Sequence, residues 1–136
     1  MDFLATMHSH MRHLIFTLGV LSFVFSLFTF LRKAQPAKWE KILVKTYIYV
    51  LTLQLLLGLT QLLYRWSDYG DMLRVRLEHA FIMLVAVGIG HWGLKFVRKG
   101  GAMGTRNTML VVAATIILIV LGILILPNGR ALLALE

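Results

Sequence analysis

Thr108 to Leu126 reads TMLVVAATIILIVLGILIL, nineteen residues without a charge. Wound into a helix, the run is apolar on every face, which suits a span surrounded by hydrocarbon and not the amphipathic surface helix of a soluble domain. A strand of a membrane barrel would alternate apolar and polar residues with a period of two, and this run does not. The span built on it covers about 107 to 127, and three more stretches of the same character stand at about 14 to 31, 42 to 64 and 77 to 97. Each is close to the roughly 20 residues that a helix needs to cross the bilayer interior. The connections are short, which predicts antiparallel neighbours. The expected fold is therefore all-α, an integral membrane up-and-down four-helix bundle forming one domain over residues 1–136.

Composition agrees. A soluble chain of 136 residues could not hide a 59% share of hydrophobic residues, because a small globule keeps roughly a third of its surface exposed. Fourteen Lys and Arg stand against six Asp and Glu, a net charge of +8. The charges cluster between the spans, where membrane potential and anionic lipid account for them, so a nucleic-acid partner is not expected. The absence of Cys excludes disulfides, thiolate metal sites and covalent haem attachment. The first span is preceded by His8, His10, Arg12 and His13 and followed by Arg32 and Lys33, with no small-x-small cleavage pattern after it, which predicts a retained span.

Orientation follows from Lys and Arg. Arg32, Lys33, Lys38, Lys41 and Lys45 around the first loop and Lys95, Arg98, Lys99 and Arg106 around the third make nine. Arg12, Arg65, Arg74, Arg76 and Arg130 on the other side make five. The richer side belongs in the cytoplasm, so both termini are expected on the outer side of a bacterial cytoplasmic (inner) membrane. Trp39, Trp66 and Trp92 fall near span ends, as interfacial aromatics do.

Polar residues inside the spans are the functional candidates, since each is costly in hydrocarbon unless satisfied. Helical steps from His8 give Arg12, Ile15, Gly19, Ser22 and Ser26; steps from His79 give Met83, Ala86, Gly90 and Gly93. On the second span Leu51, Gln54, Gly58, Gln61 and Arg65 share a face. Small residues are also how membrane helices pack, so these stripes have a purely structural reading. The sharper reading starts from depth. His8 and His79 stand at the same end of helices one and three, which are diagonal in the simplest square bundle. Two imidazoles there, each followed inward by small residues that leave room for a flat ring, match what non-covalent haem b requires. Arg12, Arg74 and Arg76 at that level would pair with propionates, and Glu78 would orient a ligand or relay protons.

His91 lies twelve residues past His79, about 18 Å deeper and about 120° around the helix. Its expected partner is Gln54, counted at the same depth, in a simple hydrogen bond; the alternatives are proton handling, quinone binding or ligation of a second haem. His10 and His13 read as solvated, with one competitor: the run Met7 to Met11 offers the imidazole and thioether groups that copper(I) accepts.

The segments His8-Ser9-His10-Met11-Arg12, Gln54 to Leu59, and Glu78-His79 with Met83 and Ile89-Gly90-His91 resemble a family of small four-span bacterial membrane proteins labelled cytochrome b-like. The resemblance runs from the first helix to the end of the third. It implies haem b and electron transfer, with His8, Arg12, Gln54, His79 and His91 as functional positions. Where members carry an aromatic after His-Ser this chain has His10, which leaves open whether His8 or His10 ligates.

The leading expectation is a cytochrome b-like electron-transfer protein or redox subunit with haem b between helices one and three near the outer face. His8 and His79 are the axial ligands, Arg12 and Arg76 hold the propionates, and Gln54 and His91 form a polar site below. Expected partners are the bilayer, other membrane subunits or further copies of the chain, and a quinone. The alternatives are a cofactor-free accessory subunit of a membrane complex and an outer-face copper protein using His10. The sequence carries no nucleophile triad, phosphate loop or closed metal motif, which points away from an independent enzyme.

Overall fold

The computed structural model describes residues 2–127. Four long helices follow one another: α1 (Asp2–Leu31), α2 (Lys38–Tyr64), α3 (Leu73–Lys99) and α4 (Gly101–Leu124). All four are long and apolar enough to cross a membrane. Each packs on its neighbours in sequence, and α4 closes the ring against α1, so α1 and α3 lie on one diagonal as expected. The α3–α4 interface is the most extensive and the α2–α3 seam the least. The start of α1, the end of α2, the start of α3 and the end of α4 share one end of the bundle, called here the histidine end. The two short connections mark the other, basic end.

The helices outrun the apolar stretches that announce them. α1 begins at Asp2 and not near 14, α3 at Leu73 and not 77, and α4 at Gly101 and not 107. Hydropathy marks where charge stops, whereas Met, His and Arg sustain a helix well into the interface. His8 and Arg12 therefore belong to a regular helix. Arg130, counted in the charge balance, lies outside the described residues.

The connections explain how the helices reverse. After α1, the Ala34 N–H donates to the Thr29 carbonyl and the Lys33 N–H to the Phe30 carbonyl, both at 3.1 Å, around Lys33 at φ 53°. This is a Schellman ending with lysine where glycine is usual, followed by Pro36, which cannot continue a helix. Between α3 and α4 stands a single residue, Gly100. Gly100 and Gly101 take φ of 65° and 74°, a region that side chains resist, and the Gly101 N–H donates to Gln35 Oε1 at 3.0 Å. Tyr64 connects to Leu73 through two short 3-10 turns, Trp66–Asp68 and Gly70–Met72.

The core is densest in the basic half and the middle of the bundle. Tyr47 is fully buried and 2.8 Å from Thr115 Oγ1. Thr115 gives its one hydrogen to the Val112 carbonyl at 2.7 Å, so Tyr47 is the donor between the two. Glu40, buried in the first turn of α2, accepts from the Thr29 hydroxyl at 2.6 Å. Ile15, Val44, Ile48, Leu51, Val112 and Ile119 fill the space around them.

Candidate functional site

At the histidine end the packing opens into a cavity of about 350 Å³. That is a volume typical of small-molecule sites, which run from roughly 300 Å³ upward. α1 contributes His8, Ser9, Arg12 and Ile15, spaced along one helical face; α3 contributes Arg76, His79, Ala80 and Met83 in the same manner. α2 supplies Leu51, Gln54, Gly58 and Gln61, and α4 supplies Ile119 and Ile123. Five of the six expected cofactor residues, His8, Arg12, Gln54, Arg76 and His79, thus meet in one place.

His79 is held by a backbone. Its Nδ1 lies 2.7 Å from the Gly122 carbonyl oxygen on α4. A carbonyl only accepts, so Nδ1 carries the hydrogen and Nε2 of the neutral ring keeps its lone pair. Gly122 makes this possible because a Cβ there would run into Met83 and crowd the imidazole. His8 rests against the bare backbone of Gly58: a Cβ at that position would lie 3.0 Å from His8 Cε1. The Gln54 amide donates to the His8 carbonyl at 2.7 Å, which ties α2 to α1 at the cavity wall.

The lining is cationic and unsatisfied. His8 Nδ1, Arg12 Nε, Gln54 Oε1 and Arg76 Nε are all buried without a partner among the described residues. The Arg76 guanidinium stacks 5.3 Å from the Tyr69 ring centroid, and no carboxylate lines the cavity among the described residues. Both arginines are half-buried, and an anionic group in the cavity would give their buried Nε atoms the acceptor they lack. Deeper in, Ile15, Leu51, Met83, Val87 and Ile119 make the floor apolar. The cavity thus joins an apolar floor to a cationic wall.

Several expectations need correction. The small residues below the histidines do not leave a slot. A Cβ at Gly19 would meet Tyr47 and Ile116, one at Gly90 would meet Ile48, and one at Gly93 would meet Val111, so these glycines serve close packing. The open space lies higher, at His8, Gly58 and Met83. Glu78 does not orient His79: it pairs with Arg74 at 3.0 Å on the exposed face of α3, so Arg74 is not in the cavity either. Gln54 and His91 do not form one site, because Gln54 reaches His8 while His91 bonds Thr52 at 2.8 Å on the bundle exterior. His10 is exposed and does not line the cavity. Among the described residues no three His, Asp or Glu side chains come together around a metal position.

Sequence reading missed three contributors. Gly122 acts through its carbonyl, Gly58 through the side chain it lacks, and Tyr69 sits in a connection. Of these only Gly58 carried a signal, as a member of the polar stripe on α2.

Compared with known proteins, the chain matches no family model, no curated protein and no solved structure.

Proposed function

We propose that the chain is a cytochrome b-like electron-transfer protein of the bacterial cytoplasmic membrane, acting alone or as the redox subunit of a larger complex, with haem b held between α1 and α3 and the histidine end facing outward. The observation that carries this reading is the cavity itself: imidazoles from two diagonal helices, two arginines whose buried Nε atoms have no acceptor among the described residues, and an apolar floor, all lining one space. These residues fit haem b in donor type, in charge and in polarity. His79 offers Nε2 as a ligand, its orientation fixed by the Gly122 carbonyl, the usual way a ligating imidazole is steadied from behind. His8 supplies the second imidazole. Arg12 and Arg76 hold the propionates, and Gln54 keeps α1 in place beneath them. Haem b supplies one-electron exchange when bound. The aliphatic side chains of the floor favour a flat apolar ligand.

The test is a reduced-minus-oxidised absorption spectrum of the detergent-purified chain after expression with ample haem. An alpha band present in the natural chain and absent in His79→Ala is expected. Its absence from both sinks the proposal.

A further inference from the structure

A second polar space lies at the basic end, and the haem reading makes no use of it. Among the described residues Glu40 is the one charged side chain that is buried, and no cation pairs with it. An ionisable group inside a membrane bundle is costly unless satisfied, which makes Glu40 a candidate for ion or proton traffic. Its Oε2 accepts from Thr29, whereas Oε1 has no partner among the described residues.

Beside Glu40 lies a crevice of about 20 Å³, bounded by all four helices and reaching Pro36 and Gly100 in the two short connections. That volume suits one water molecule, which needs roughly 10–15 Å³. α1 lines it with Ser26, α2 with Glu40 and Lys41, α3 with Phe96 and Val97, and α4 with Thr105 and Thr108. Ser26 and Thr108 are more than nine-tenths buried, yet neither hydroxyl bonds a described residue. Neither oxygen is sealed in the packing as Ser22 Oγ is, so both open onto the crevice. Thr105 gives its hydrogen to the Gly101 carbonyl at 2.8 Å and toward the crevice can only accept.

The crevice therefore offers two acceptors, Glu40 Oε1 and Thr105 Oγ1, and two free donors, the hydroxyls of Ser26 and Thr108. Water carries the complement, two hydrogens and two lone pairs. A metal cation is disfavoured, because Lys41 lines the same space with its Nζ beside Gly100, among the other lysines and arginines of these connections. From α1, α3 and α4 no titratable side chain lines the crevice, which leaves Lys41 as the one such neighbour of Glu40 there.

We propose that Glu40, Ser26, Thr105 and Thr108 bind one ordered water molecule, and that through it the buried Glu40 carboxylate exchanges protons with the solution at the basic end. A proton arriving on the water passes to Oε1 and leaves the water neutral; release is the reverse. The site stands at the opposite end of the bundle from the haem cavity and shares no residue with it.

The experiment is water-edited solid-state NMR of the haem-free full chain in lipid bilayers, with 13C-labelled Ser, Thr and Glu, so its outcome is independent of the haem reading. Magnetisation from water is expected to reach Ser26 and Thr108 several-fold sooner than Ser22 and Thr115, which are also buried, and the Glu40 carboxyl resonance is expected to move with buffer pH. Thr108→Val keeps the shape of the side chain, removes one donor and slows the transfer to Ser26 and Glu40; unchanged Ser22 and Thr115 resonances show that the variant is folded. Ser26 and Thr108 as slow as Ser22 overturn the water site, and a Glu40 carboxyl indifferent to pH overturns the proton exchange. A Glu40 resonance that shifts when sodium replaces choline in the buffer assigns the crevice to a cation and overturns the proposal as well.

Discussion

The two halves of this bundle use the same residue types to opposite ends. In the basic half and the middle, glycine lets side chains close in: Val111 fills the space before Gly93 and Ile48 the space before Gly90. Thr29 is paired there with Glu40 and Tyr47 with Thr115, and Ser22 Oγ is the one buried side-chain atom left without a hydrogen-bond partner among the described residues. In the histidine half, glycine fronts an imidazole, Gly58 against His8 and Gly122 against His79, and four buried polar atoms around them have no partner among the described residues. A small residue in a membrane helix is therefore neutral about function. What stands opposite it decides whether it closes a gap or frames one.

This contrast can be broken in graded steps. The largest expected effect is in the packed half. Gly93→Leu must displace Val111 and part α3 from α4, which lowers stability by about 3 kcal/mol, the upper end for overpacking, read as a fall in the thermal midpoint in detergent. A wild-type midpoint would show that the two helices are not in contact there. Next, Thr29→Val leaves the buried Glu40 carboxyl without its donor and costs about 2 kcal/mol in the same measurement. In the open half the sign reverses. Arg12→Met removes a half-buried cation whose Nε has no acceptor and raises the stability of the chain by about 1 kcal/mol or less, while weakening the proposed haem uptake; a variant that loses stability would mean that Arg12 has a structural partner. The smallest change lies in a connection at the basic end. Lys33→Gly relieves a left-handed lysine at the end of α1 and adds about 1 kcal/mol or less, read as a small rise in the same thermal midpoint.

Much of this architecture was legible before any coordinates, and the reason differs by element. The spans showed because charge is nearly absent from them, and the inward faces showed because Ile15, Ser22 and Ser26 recur at helical spacing and are all buried. The gathering of His8, Arg12, Gln54, Arg76 and His79 followed from counting depth in an up-and-down bundle. Depth counting came within two residues for His91, since Thr52 stands about 3 Å along α2 from Gln54, but those two residues lie about 200° apart around the helix, so the face and not the depth decided the partner. The Gly122 carbonyl was beyond reach for another reason: a backbone acceptor has no side-chain signature, and every residue of α4 offers the same group.

The one-residue join between α3 and α4 has a consequence for chain length. With only Gly100 between them, the angular setting of α4 is dictated at the turn and propagates unbroken over the twenty-odd positions to Gly122. An insertion of one residue early in α4 would swing everything after it by about 100° and carry the oxygen that steadies His79 off to another side. Homologous chains that share this cavity should therefore forbid length variation between Lys99 and Gly122.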